Sequence, residues 1–143
     1  MAGITLRVED LATHFFTKGG LIKAVDGVSF TVHRGEIMGL VGESGSGKSV
    51  TGFSIIGLVD QPGRVVGGRL LFNGEDLLNK SEDEMRTLRG SRIAMIFQDP
   101  MMTLNPVLRI DTQMIEAVLA HQNVAKDKAR RMARDALGQV GIA

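Results

Sequence analysis

Cysteine, tryptophan and tyrosine are absent from this sequence, and proline occurs only three times. Without cysteine this stretch holds no disulfide and no thiolate metal site, so a reducing compartment is permitted. No apolar run approaches the ~18 residues that a membrane-spanning helix needs. Glu9 and Asp10 stand early and no hydrophobic leader core precedes them, so no secretory signal is expected. Charge of one sign is not in excess either. The net charge is +1, which points neither to nucleic acid nor to a membrane surface as a direct partner. Lys126 to Arg134 is locally basic, but Asp127 and Asp135 interrupt it, and the stretch reads as a solvated helix face. His14, His33 and His121 have no metal-ligand spacing, and no repeat or low-complexity segment is visible. What remains is a globular composition in 143 residues, enough for one domain or a large part of one.

Glycine, by contrast, is plentiful, and one cluster of it carries chemistry. Gly42-Glu43-Ser44-Gly45-Ser46-Gly47-Lys48-Ser49 fits the pattern G-x-x-x-x-G-K-[ST] of a phosphate-binding P-loop. Glycines let the backbone turn with positive φ and approach a ligand without a Cβ in the way. The turned amides form an anion-binding nest, and the following helix adds its N-terminal partial positive charge. Lys48 can reach the β- and γ-phosphates of a nucleotide, and the Ser49 hydroxyl is placed to ligate Mg²⁺. A chance match to the fixed positions in a chain of this length is about 1%. The flanks strengthen it: Ile37 to Val41 reads as a buried strand, and Val50, Phe53 and Gly57 follow at helical spacing with Ile56 beside them.

Elsewhere the pattern alternates between strand and helix. Ile4, Leu6 and Val8 alternate with polar residues, as do Val28, Phe30 and Val32, and Lys18-Gly19-Gly20 between them reads as a loop. These strands are expected to be antiparallel with one wet face. Asp60-Gln61-Pro62-Gly63 breaks the chain after the P-loop helix, and a strand over Arg69 to Phe72 closes at the Asn73-Gly74 turn signal. Ser81 and Glu84 form a capping-box pattern opening a short helix to about Arg89. Arg92 to Phe97 reads as a second buried parallel strand. Ile110 to His121 and Lys126 to Val140 read as helices, the latter ended by Gly141.

Three features beside the P-loop make a resemblance specific. Ala24-Val25-Asp26-Gly27-Val28-Ser29-Phe30 stands before the P-loop strand. Ile96-Phe97-Gln98-Asp99-Pro100 follows the P-loop by about fifty residues. A β-rich insertion between them ends in Phe72-Asn73-Gly74-Glu75-Asp76-Leu77. From Ile4 to Ile142 the chain resembles the nucleotide-binding subunit of ABC transporters. Phe97-Gln98-Asp99-Pro100-Met101-Met102-Thr103-Leu104-Asn105-Pro106 is similar to the oligopeptide/dipeptide importer branch, wording shared with importers of other cargoes such as nickel. The resemblance implies an α/β P-loop NTPase fold of the ABC ATPase type, incomplete, with an antiparallel β subdomain (1–36 and 65–76), a P-loop strand and helix (37–60), a Q-loop strand (91–98) and the start of a helical subdomain (100–143).

It also implies site residues. Lys48 and Gln98 are the candidate catalytic residues, with Gln98 as the Q-loop glutamine that contacts Mg²⁺ and the attacking water. Ser49 and Gln98 are the candidate metal ligands. Gly42, Glu43, Ser44, Gly45, Ser46, Gly47, Lys48, Ser49 and Val50 are the candidate residues around ATP, and Val50 stands where threonine is commoner. Phe15 matches the aromatic that stacks on adenine; phenylalanine keeps the π-face that tyrosine more often supplies there. Phe16 competes for that role, and strand alternation lets only one of them face the base. The implied partners are transmembrane permease subunits, met through residues 98–106, and a second ATP-binding subunit, at the cytoplasmic face of the cell membrane and without membrane insertion. Met101 and Met102 would suit the permease interface as soft, adaptable side chains.

The 143 residues contain no Leu-Ser-Gly-Gly-Gln-type signature, no apolar strand ending in Asp-Glu and no switch histidine. The expectation is therefore the N-terminal portion of a longer subunit, which binds ATP but does not hydrolyse it at a useful rate alone. Strands that would neighbour the P-loop strand are then missing, and part of the sheet edge and core should be exposed. The rival readings are a nucleotide-binding or interaction module without catalysis, and a soluble ABC protein outside transport.

Overall fold

The computed structural model describes residues 3–99 and 103–142. The chain divides into two compact units, Met1–Arg86 and Thr87–Ala143. The first is built on a four-stranded antiparallel sheet of order β2-β1-β3-β4. Its strands are β1 (Ile4–Thr17), β2 (Gly20–His33), β3 (Gly63–Phe72) and β4 (Glu75–Asp76). The Lys18-Gly19 turn joins β1 to β2, pairing Thr17 with Gly20 and Ile4 with His33. Asn73 and Gly74, both at positive φ, turn β3 into β4. β1 is longer than its alternation suggests because bulges interrupt the period-two pattern, with register shifts against β2 and β3 around Glu9 to Thr13.

Val8, Leu11, Val25, Leu70 and Leu77 are buried in this unit, with Ile56 and Met85. Helix α1 (Lys48–Ile55) buries Thr51 and Ser54, while Val50 and Phe53 are half-buried. The apolar spacing thus marks the helix correctly but not its innermost face. Small hydroxyl side chains sit inside because each bonds a carbonyl of its own helix: Thr51 Oγ1 donates to Gly47 O at 2.9 Å and Ser54 Oγ to Val50 O at 2.7 Å. Gly57, at φ 66, ends α1: Leu58 N–H donates to Phe53 O and Gly57 N–H to Ser54 O.

Helix α2 (Glu82–Leu88) carries the expected capping box. Glu84 Oε2 accepts from the Ser81 N–H and hydroxyl, both at 2.8 Å, and the Glu84 N–H returns to Ser81 Oγ at 3.4 Å. These bonds hold the Glu84 carboxyl below the usual glutamate range, the Ser81 backbone bond being the largest cause.

In the second unit α3 (Ile110–His121) and α4 (Lys126–Gln139) pack together around Ile115, Ala129 and Ala133. Gly141, at φ 79, ends α4 as expected, with Ile142 N–H donating to Leu137 O.

Two expected strands are not strands in the structure. Ile37 to Val41 has no ladder partner among the described residues, and Ile37 and Val41 are 100% and 91% exposed. Over Arg92 to Phe97 the only pairing among the described residues is a parallel bridge between Arg89 and Ile93, and Ile96 is 93% exposed. Apolar runs of this kind become strands by hydrogen bonding to parallel neighbours that cover both faces. The described residues supply no such neighbours, so the segments keep their apolar composition without burial.

Candidate phosphate-binding site

The P-loop lies between the end of β2 and the start of α1. Gly45 and Gly47 adopt φ 80 and 91, the left-handed region that only glycine enters freely. Gly47 is the N-cap of α1, and no side chain caps it. A Cβ on Gly47 would collide with the carbonyl oxygen of Ala24 in β2. The loop therefore rests on the strand by backbone contact. A cavity of about 150 Å³ opens there, lined by Ala24, Gly45, Ser46, Gly47, Lys48, Ser49 and Val50.

Lys48 is the one charged group in that lining. Its ammonium donates to Gly42 O at 2.7 Å, Glu43 O at 2.6 Å and Ser46 Oγ at 3.3 Å, which uses all three of its donors. The loop's donors are arranged the other way. Ser46 N–H closes a turn onto Glu43 O, and Thr51 N–H bonds Gly47 O. The N–H groups of Gly45, Gly47, Lys48 and Ser49 have no acceptor among the described residues. Orphan amides at a helix start, beside an ammonium and without a carboxylate in the lining, form a site chemically suited to a multiply charged anion. The Ser49 hydroxyl is exposed and has no partner among the described residues. A hydroxyl is a hard oxygen donor that fits Mg²⁺, which takes few protein ligands beside phosphate. The described residues hold no cluster of three or more His, Cys, Asp or Glu that could bind a metal by itself.

The structure separates the two phenylalanines. Phe15 is half-buried; two atoms of its ring lie 2.6 and 2.8 Å from where a Gly63 Cβ would stand, and Val59 presses on the same point. A side chain at position 63 would displace the ring. Phe16 is 45% exposed and has the Arg64 guanidinium 4.3 Å above its centroid. Gln98 belongs to the second unit, exposed at a bend. Of the expected permease-facing segment, Pro100, Met101 and Met102 lie outside the described residues. Leu104 and Val107 beside them are exposed, and Asn105 N–H donates to Gln113 Oε1 at 2.9 Å.

Sequence reasoning gave no role to Ala24, Thr13 or Ser54. Ala24 acts through its carbonyl, which leaves no side-chain signal. Thr13 interrupts an apolar strand and Ser54 an apolar helix face, and that paired anomaly is the signal that was available.

Residues 25–143 match the family model described as ABC transporter. The chain belongs to the ABC transporter family. Within the ABC family, the chain is 50% identical over 137 residues to the dipeptide transport ATP-binding protein DppD of Escherichia coli (strain K12), covering 96% of this chain and 42% of that protein. It is 46% identical over 138 residues to the oligopeptide transport ATP-binding protein OppD of Bacillus subtilis (strain 168), covering 96% of this chain and 38% of OppD. The chain thus spans about two fifths of the length of these curated relatives. In three dimensions it is similar to the dimeric structure of MJ0796, a bacterial ABC transporter cassette, with a TM-score of 0.81 at 19% identity over 96% of this chain and 58% of that one. A second structure of that cassette, bound to ADP and Pi, gives 0.82 at 19% identity. These likenesses show an ABC ATPase fold of the α/β P-loop class.

Proposed function

We propose that this chain is the nucleotide-binding part of an ATP-binding subunit that powers peptide import through an ABC transporter. One observation carries the reading: a loop whose unpaired amides and single lysine converge on a small cavity with no acidic side chain in its lining. The names of the relatives support the cargo, dipeptides and oligopeptides; a peripheral station beside permease subunits at the cytoplasmic face of the membrane is part of the same proposal. The likeness to a dimeric cassette supports pairing with a second ATP-binding subunit.

In this reading the phosphates of ATP lie along Gly42 to Val50. The amides of Gly45, Gly47, Lys48 and Ser49 donate to phosphate oxygens, and Lys48 exchanges one of its loop carbonyls for a phosphate oxygen. Carbonyls hold the ammonium in place beforehand, so little ordering remains to be done on binding. Phe15 offers its ring to adenine, and Gly63 keeps that ring seated. Ser49 and Gln98 would hold Mg²⁺, which when bound neutralises charge on the phosphate oxygens. Gln98 also orients water as a neutral amide, without placing an unpaired charge beside the phosphates. Residues 98–106 meet the permease.

Phosphoryl transfer depends on positioning and charge stabilisation. These 143 residues bring Lys48 and Gln98 to it, but no apolar strand ending in Asp-Glu. The 143-residue polypeptide therefore binds ATP without useful turnover. An ATP titration run beside a phosphate-release assay tests this: saturable binding with background release is expected. Robust Mg²⁺-dependent release by the polypeptide alone would contradict it.

A further inference from the structure

Thr13 and Ser54 are the largest fully buried polar side chains among the described residues, at 0% and 1% exposure, in a unit whose buried apolar side chains include Val8, Leu11, Val25 and Leu70. Their hydroxyls lie 2.7 Å apart. Ser54 has one proton and bonds Val50 O with it at 2.7 Å. The pair is therefore ordered: Thr13 donates to Ser54, and Ser54 donates to Val50. This short chain of hydrogen bonds ties β1 to α1. At one end, Thr13 stands two residues before Phe15 on the same face of the strand, through a stretch where β1 pairs β3 without a shift from Thr13 to Phe15. At the other end, Val50 lines the phosphate cavity.

An aliphatic pair would pack this core as well. Hydroxyls add direction, because sliding β1 along α1 by one residue would leave the Thr13 hydroxyl buried without its partner, while Ser54 keeps its bond to Val50 O. We infer that Thr13 and Ser54 are positioning residues that fix the offset between the base-stacking ring of Phe15 and the phosphate loop, and so set how well adenine and triphosphate are held together. The inference rests on the nucleotide reading above and deepens it. A ligand that occupies both ends, ATP, depends on that offset. A ligand that occupies only the loop, inorganic tripolyphosphate, does not.

The test is a titration of the full chain with ATP and with tripolyphosphate, for the parent, Thr13→Val, Thr13→Ser and Lys48→Ala. Thr13→Val keeps shape and leaves Ser54 bonded to Val50. It should weaken ATP about tenfold, the scale of losing one base–aromatic stack, and leave tripolyphosphate within about twofold. Thr13→Ser keeps the hydroxyl and should restore ATP binding. Where Thr13→Val melts, the double variant Thr13→Val/Ser54→Ala, which leaves neither hydroxyl stranded, gives the same ratio. Equal losses for both ligands, or no loss for either, would overturn the inference. Unchanged binding of both ligands in Lys48→Ala would instead overturn the nucleotide reading itself.

Discussion

Replacing Gly47 by alanine is the perturbation whose cost can be worked most fully. Gly47 sits at φ 91 and ψ 1. An L-residue held in the left-handed region costs about 1–2 kcal/mol. The new methyl would also overlap the Ala24 carbonyl, which is backbone and cannot swing aside. Ala24 is fixed by its neighbours, with Val25 paired to Thr13 and Lys23 to His14. The loop must therefore move rather than the strand, at a further cost of about 1–3 kcal/mol, the range for overpacking a tight site. Gly45→Ala is the matched control. Gly45 has φ 80 but nothing within 4 Å of its Cβ position, so it carries the conformational cost alone. Urea unfolding of both variants should place Gly47→Ala at least about 1 kcal/mol below Gly45→Ala. ATP titration should show the larger loss for Gly47→Ala too, because its amide and those of Lys48 and Ser49 are re-aimed. Equal stabilities within about 0.5 kcal/mol would refute the steric argument.

Three further outcomes follow from the same geometry. Ser54→Ala leaves the Thr13 hydroxyl buried without a partner and should destabilise by about 1–3 kcal/mol, whereas Thr13→Val/Ser54→Ala should cost less than Ser54→Ala alone; urea midpoints decide it. Phe15→Ala should weaken ATP by about 1–3 kcal/mol and leave tripolyphosphate unchanged, while Phe16→Ala changes neither in titration. Glu84 has its carboxyl lowered in the folded state, so its support for α2 is complete above the ordinary glutamate value of about 4.3 and disappears as pH falls through the lowered one. The difference in melting temperature between the parent and Glu84→Ala should shrink to nothing on acidification across that window, and a constant difference would remove the capping box from the account.

Much of this molecule was legible in its sequence where a local rule operates. The P-loop, the Asn73-Gly74 turn, the Ser81–Glu84 box and the Gly141 helix end are short-range devices, each set by a few neighbouring residues. The antiparallel hairpin was legible because Ile4, Leu6 and Val8 alternate with polar residues, although of the three only Val8 is fully buried. What was not legible depends on partners distant in the chain. Ile37 to Val41 and Arg92 to Phe97 have the composition of buried strands, but a strand exists only when another is there to bond it. α1 hides Thr51 and Ser54 because hydroxyl bonds within the helix and to Thr13 make that face inexpensive to bury, which apolar periodicity cannot express. The contact of Gly47 with Ala24 is backbone to backbone and leaves no trace in side-chain pattern.

The central claim is that Lys48 and the amides after Gly42 hold the phosphates of ATP. Titration of ATP with Mg²⁺ into the chain and its Lys48→Ala variant tests it most directly. Saturable binding by the parent is expected, with a loss of about 1.5–3 kcal/mol, tenfold or more, in the variant, the worth of a charge-assisted bond to phosphate. Equal affinity for ATP in both proteins would contradict it.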